Sequence, residues 1–131
     1  MGILAVTVLT SSGEAELKAL RYPGTMADLV QERASEALRL GCTGVVASAQ
    51  EATHLRQTLG TNFRIVTPGI RSAGVASHDQ KRISTPGAAL LNGADYLVIG
   101  RPIRDAADPL AAIKAIQAEM KSVLAARQLQ P

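Results

Sequence analysis

Short apolar runs alternate along the chain with longer segments in which apolar residues recur at helical spacing. The runs are rich in Val, Ile, Leu and Ala, and they cover residues 3–9, 44–48, 64–67 and 95–99. Because polar residues do not alternate within them, they are typical of parallel strands buried on both faces of a sheet. Strand and helix follow each other four times, which predicts an α/β fold of four βα units with parallel strands.

The predicted helices begin at residues that can cap them. Thr25 and Asp28 have the spacing of a capping box after the first strand. Ser48 and Glu51 repeat that spacing after the second strand. Thr85-Pro86 places a proline at the first position of the third main helix, where proline is favoured.

The last helix is predicted to begin at Asp108-Pro109 and to bury one stripe of its surface. That stripe consists of Leu110, Ile113, Ile116, Met120 and Leu124. A chain of 131 residues is of single-domain size.

Two of the predicted strand ends carry both glycine and arginine. In parallel β/α folds, ligands bind where strands give way to helices. The loop 68–84 follows the third strand, and Gly100-Arg101-Pro102 follows the fourth. Glycine allows close approach to the backbone, and arginine offers a forked donor to a phosphate. We therefore expect a phosphate site at Gly100 and Arg101 with part of the 69–82 loop; the alternative is that these arginines are solvated surface charges.

The distribution of charge favours a small anion. The formal net charge is +3, and the stretch from Arg64 to Arg104 holds six basic residues against Asp79 and Asp95. A localised surplus on loops suits a small anion better than a long polyanion, so no nucleic-acid partner is expected. With 2% aromatic residues, stacking on single-stranded nucleic acid is also disfavoured.

Other features of the sequence indicate the cellular location of the protein and whether it binds a membrane, a metal or a cofactor. Cys42 is the single cysteine, which precludes an internal disulfide and favours an intracellular location. No apolar run is long enough to span a membrane, so we expect a cytoplasmic protein with no membrane partner. No cluster of Cys, His and Asp has metal-ligand spacing, and neither metal nor cofactor is expected.

Several short motifs occur together in a characteristic order. They are TVLTS at 7–11, GVVASAQEA at 44–52, VTPGIR at 66–71, DQKR at 79–82, Thr85-Pro86, GADYLVIGRPI at 93–103 and Asp108-Pro109. Between residues 3 and 120 the chain resembles orotidine 5′-phosphate decarboxylases of the bacterial type. The resemblance implies the second half of a (β/α)8 TIM barrel, with residues 1–131 as a single partial barrel of units five to eight. It also implies a lyase of pyrimidine biosynthesis, which converts orotidine 5′-phosphate to UMP and CO2.

The resemblance implies a substrate-binding role for six residues. Gly100 and Arg101 match the phosphate ligands, and Arg71 matches the arginine of a mobile loop. Gln80 matches the glutamine that bridges phosphate and pyrimidine. Thr10 and Pro68 match residues beside the base.

One motif of the family does not occur in this chain. The reaction is attributed to an Asp-x-Lys-x-x-Asp motif, and the nearest spacing is Asp79-Gln80-Lys81, where Ser84 replaces the second aspartate. We therefore predict no catalytic residue and doubt the activity of the chain alone. The alternatives are a non-catalytic module that binds a nucleotide or sugar phosphate, and a fragment of a related sugar-phosphate decarboxylase. Because the outer strands would lack barrel neighbours, we expect a homo-oligomer or association with an N-terminal half.

Overall fold

The computed structural model describes residues 1–71 and 83–128. Within them the strands are β1 (Leu4–Val6), β2 (Gly44–Val46), β3 (Arg64–Thr67) and β4 (Tyr96–Leu97). The helices are α1 (Glu14–Ala19), α2 (Met26–Arg39), α3 (Ala49–Leu59), α4 (Pro86–Leu91), α5 (Arg101–Arg104) and α6 (Pro109–Gln128). The strands form one parallel sheet in the order β1-β2-β3-β4, which confirms the predicted α/β class.

Three of the strands are shorter than predicted, and the largest differences are at the two edges of the sheet. In the described chain β1 pairs with β2 alone, and β4 pairs with β3 alone. No second neighbour there extends the backbone hydrogen bonding of either strand. Single hydrogen bonds continue beyond the strands, from Thr7 N to the Val46 carbonyl at 3.2 Å and from Val98 N to the Thr67 carbonyl at 2.9 Å. β3 has the predicted bounds and pairs with β2 and β4.

Two short helices were not predicted. α1 begins where the Gly13 N–H donates to the Glu16 carboxylate at 2.8 Å, and it buries Leu17. α5 occupies Arg101–Arg104, which the sequence analysis treated as a loop. Both are too brief to show an apolar repeat, which is why periodicity did not reveal them.

The core lies on one face of the sheet. Val45 and Ile65 are fully buried there against α2 and α3, together with Val30, Leu55 and Phe63. Side chains alternate between the faces of a strand, so the neighbours of Val45 and Ile65 point to the opposite face.

That opposite face is largely uncovered. Leu4 and Val6 on β1 are 45% and 58% exposed, and Tyr96 and Val98 at β4 are 58% and 53% exposed. Val46 and Val66, in the middle of the same face, are half-buried. The expectation that both faces are buried is therefore wrong, because within the described residues helices cover one face only.

Helix α6 buries a different stripe from the one predicted. Ile116 is buried and Ile113 and Met120 are half-buried, whereas Leu110 and Leu124 are 60% and 44% exposed. The prediction is wrong at these two leucines because α6 packs on α4 and α5 and has no neighbour on its far flank in the described chain. No described helix is long and apolar enough to cross a membrane.

Candidate functional site

The predicted site residues lie at the carboxyl edge of the sheet. Thr10 follows β1, Pro68 and Arg71 follow β3, and Gly100 and Arg101 follow β4. Parallel strands end on the same side, so this edge brings the three segments to one end of the fold. β3 and β4 are direct neighbours, with Val66 opposite Tyr96 in the register.

The loop after β3 has a closed stem. Arg71 N donates to the Ser84 carbonyl at 2.9 Å, and Ser84 N donates to the Gly69 carbonyl at 3.2 Å. Gly69 has φ of 74°, a left-handed conformation that glycine adopts without steric cost. The loop therefore leaves and returns at one place beside the end of β3. Gln80 lies outside the described residues, as do Lys81 and Arg82.

Arg71 is buried at this stem. The residue as a whole is 6% exposed, and its Nη1 donates to the carbonyl of Ile70 at 2.9 Å. A guanidinium carries five N–H donors, so this bond engages one of them and fixes the orientation of the group. A buried cation held in one orientation is suited to a charge-assisted bond with an anion.

Gly100 and Arg101 form the corner between β4 and α5. An added Cβ at Gly100 would meet no atom within 4 Å, so open space adjoins the backbone there. Arg101 is half-buried as the first residue of α5, whereas Arg104 is exposed and pairs with Asp105 at 2.6 Å. The two arginines of one short helix thus have different surroundings.

The end of β2 carries a buried polar pair that the sequence analysis did not assign to the site. Ser48 and Glu51 are 1% and 6% exposed, and the Ser48 hydroxyl donates to the Glu51 carboxylate. Ser48 precedes α3 as predicted, but the side chains bond each other and no hydroxyl-to-backbone cap bond forms. The capping-box prediction is wrong here; the spacing alone could not distinguish the two arrangements.

A cavity of about 470 Å³ opens beside this pair, between the N-termini of α1, α2 and α3. Its lining includes two acidic residues, Glu14 and Glu51. Two carboxylates disfavour a phosphate, so the charge favours the β3–β4 side of the edge for anion binding.

Four groups on or beside α2 have shifted pKa values, and that of Arg39 is raised by its hydrogen bond with Glu36. The hydroxyl and backbone N–H of Thr25 lower the pKa of Asp28 in the capping box. The Arg39 guanidinium lowers the pKa of Glu36, and a hydrogen bond to Glu32 raises the pKa of Tyr22. No group of three or more potential metal-ligating side chains occurs among the described residues.

Comparison with known proteins places these features in a family. The model of the orotidine 5′-phosphate decarboxylase / HUMPS family matches residues 1–116. The chain belongs to this family. A curated orotidine 5′-phosphate decarboxylase of Methylobacterium sp. (strain 4-46) is 53% identical over 118 residues, which are 90% of this chain and 50% of the relative. The protein of the same name from Bradyrhizobium diazoefficiens is 53% identical over 124 residues, covering 95% of this chain and 52% of the relative.

Solved structures of the family show the same correspondence. The crystal structure of orotidine 5′-phosphate decarboxylase from Lactobacillus acidophilus matches with a TM-score of 0.74 and 38% identity, over 91% of this chain and 49% of that one. The enzyme from Pyrococcus horikoshii OT3 matches with a TM-score of 0.66 and 26% identity, over 92% and 51%. The chain spans about half the length of these orotidine 5′-phosphate decarboxylases, so its fold is half of a TIM barrel.

Proposed function

We propose that the chain supplies the phosphate-binding half of an orotidine 5′-phosphate decarboxylase site. The observation that carries this is the placement of Arg71 and the Gly100-Arg101 corner after two adjacent parallel strands. One is a buried, oriented guanidinium, and the other combines open backbone with a half-buried arginine. Two such groups can hold the oxygens of a phosphate monoester through charge-assisted bonds.

The remaining site residues take the roles that family membership supports. Gln80 reaches from the loop to phosphate and pyrimidine, while Thr10 and Pro68 lie beside the base. The closed stem at Ser84 keeps the loop anchored next to Arg71. Phosphate binding energy, remote from the reacting carbon, then serves to position the pyrimidine.

The chain alone binds nucleotide without decarboxylating it. Loss of CO2 without a metal needs preorganised charge and a proton donor at the carbon that loses the carboxylate. The Asp-x-Lys-x-x-Asp motif that supplies these groups in the family does not occur in this sequence. Turnover therefore requires a complementary half that carries it, and we place the assembled enzyme in the cytoplasm as part of pyrimidine biosynthesis.

Titration calorimetry with UMP, uridine and ribose 5-phosphate tests the binding claim. We expect UMP to bind and uridine, which lacks the phosphate, to bind at least about tenfold more weakly, because a charge-assisted bond contributes roughly 1.5–3 kcal/mol. Equal affinity for UMP and uridine would refute a phosphate site.

An assay of CO2 release from orotidine 5′-phosphate tests whether catalysis depends on the complementary half. The chain alone should give none. The chain mixed with the unmatched half of the Methylobacterium relative should give measurable release. Turnover by the chain alone would contradict the assignment of catalysis to the other half.

A second candidate is a site for a sugar phosphate without a base, because Arg71 and the Gly100-Arg101 corner could hold the phosphate of such a ligand as well. In the same calorimetric series this candidate requires ribose 5-phosphate to bind at least as tightly as UMP. Under the first proposal UMP binds more tightly, since Thr10, Pro68 and Gln80 contact the base.

A further inference from the structure

The buried Ser48–Glu51 pair lies at the same edge of the sheet as the proposed nucleotide site but has no role in it so far. β2 is the second strand in the order β1-β2-β3-β4, so its end lies between the segments that carry Thr10 and Pro68. Both members of the pair are buried by elements of this chain. Carboxylates are rarely buried to this degree, because burial without hydrogen bonds is costly, and the Ser48 hydroxyl supplies one such bond. The pair is therefore a fixed polar contact between the two segments assigned to the base.

Hydrogen bonds tie the end of β2 to both neighbouring strands. The N–H and the hydroxyl of Thr7 both donate to the Val46 carbonyl, at 3.2 and 2.9 Å. On the other side of β2, Ala47 N donates to the Val66 carbonyl at 3.1 Å. A displacement of the segment after β2 would therefore be transmitted to the ends of β1 and β3.

Glu51 lines a cavity that the segment after Thr10 also lines. The cavity has a volume of about 470 Å³, and its wall includes Gly13, the residue before α1. Thr10 is itself buried, and a hydrogen bond from Ser12 N to the Leu9 carbonyl at 2.9 Å closes the turn around it. Because this turn is short, we expect a change at Glu51 to alter the position of Thr10.

We propose that Ser48 and Glu51 are positioning residues that hold Thr10 in place for contact with the base. This role rests on the proposed nucleotide site, in which Thr10 lies beside the base and Arg71 and Arg101 hold the phosphate. Arg101 follows β4, two strands away from the pair. The pair therefore favours a nucleotide over a sugar phosphate without changing the affinity for the phosphate.

Calorimetric titration of Glu51→Ala with UMP and with ribose 5-phosphate tests this role. The affinity for UMP should fall about 5- to 10-fold, in line with one misplaced hydrogen bond to the base. The affinity for ribose 5-phosphate should stay within about twofold of the wild type, because that ligand has no base and its phosphate is held elsewhere. Glu14→Ala is the matched control: Glu14 lines the same cavity but is exposed, and its replacement should leave both affinities unchanged.

Further variants separate positioning from a general loss of structure. Glu51→Gln keeps an acceptor for the Ser48 hydroxyl and should retain the preference for UMP. Ser48→Ala removes the donor, so it should lower the affinity for UMP alone. The Ser48→Ala/Glu51→Ala double variant should lose no more than the larger single loss, because the two residues act through one contact. Far-ultraviolet circular dichroism checks that each variant folds, and Ser48→Ala replaces Glu51→Ala in the test if the latter does not fold.

Several results of these titrations would overturn the proposal. Equal losses of UMP and ribose 5-phosphate affinity in Glu51→Ala and Ser48→Ala would show a general structural effect, and unchanged affinities in both would show no effect. Losses that add in the double variant, or a loss in Glu51→Gln or Glu14→Ala as large as that in Glu51→Ala, would also contradict it. A wild-type chain that binds UMP no better than uridine refutes the nucleotide site and this role with it. A wild-type chain that prefers UMP, with variants that keep its preference, refutes the positioning role alone.

Discussion

Arg56 and Asp95 join α3 to the beginning of β4. Arg56 Nη2 lies 2.6 Å from Asp95 Oδ2, and the same carboxylate oxygen accepts from the Ile65 N–H at 2.8 Å. Arg56 also donates to the carbonyls of Gly93 and Phe63. This network fixes the entry of the strand that leads to Gly100 and Arg101.

Replacement of Asp95 by alanine should destabilise the chain. The side chains of Arg56 and Asp95 are 16% and 28% exposed, so the change removes the carboxylate that pairs with a partly buried guanidinium and accepts from the Ile65 N–H. We expect a loss of about 1–3 kcal/mol in the free energy of unfolding, measured by urea denaturation. Glu36→Ala breaks a solvent-exposed pair and should change that free energy by less than about 1 kcal/mol. Equal effects of the two substitutions would contradict the role of the network.

Alanine substitution at two glycines separates backbone strain from steric clash. Gly41 and Gly93 have φ of 93° and 106°, so both substitutions are strained. A Cβ at Gly41 meets nothing within 4 Å, whereas at Gly93 it would lie 2.8 Å from Cγ of Arg56. Thermal denaturation should therefore show a larger decrease in Tm for Gly93→Ala than for Gly41→Ala. The reverse order would show that the Arg56 contact is unimportant.

Acid should weaken the start of α2 through Asp28. The pKa of Asp28 is lowered in the folded chain by its bonds with Thr25. A lowered folded-state pKa means that this contribution is complete above the unfolded pKa and is lost as pH falls through the folded value. Unfolding measured from neutral to acidic pH should show less pH dependence in Asp28→Asn than in the wild type. An identical pH dependence in both proteins would exclude a contribution from this carboxylate.

The sequence predicted the order of elements because their signals are local. The Thr25–Asp28 capping box and the proline that opens α4 need only neighbouring residues, and both occur as predicted. The predicted burial of Leu110 and Leu124 was wrong. The periodicity of a helix shows which positions are apolar, but it does not show which neighbouring elements are present to cover them. The same holds for Val6 and Val98, whose strands suit a closed barrel although this chain forms half of one.

The sequence predicted some parts of the candidate site and not others. Glycine and arginine after β3 and β4 indicated the anion side directly. The sequence did not predict the burial of Arg71 or the Ser48–Glu51 contact, since both depend on the packing of loops around the strand ends. The substrate-binding roles stay predictions for all six residues: Thr10, Pro68, Arg71, Gln80, Gly100 and Arg101.

The most direct test of the phosphate-binding account compares two arginines of α5. Arg101 borders the open backbone of Gly100, while Arg104 is exposed and pairs with Asp105. Calorimetric titration with UMP should show affinity reduced about 10- to 100-fold in Arg101→Ala, in line with a lost charge-assisted bond. Arg104→Ala should stay within about twofold of the wild type, as expected for an exposed ion pair. Equal affinities of the wild type and both variants, or a greater loss in Arg104→Ala, would contradict the account.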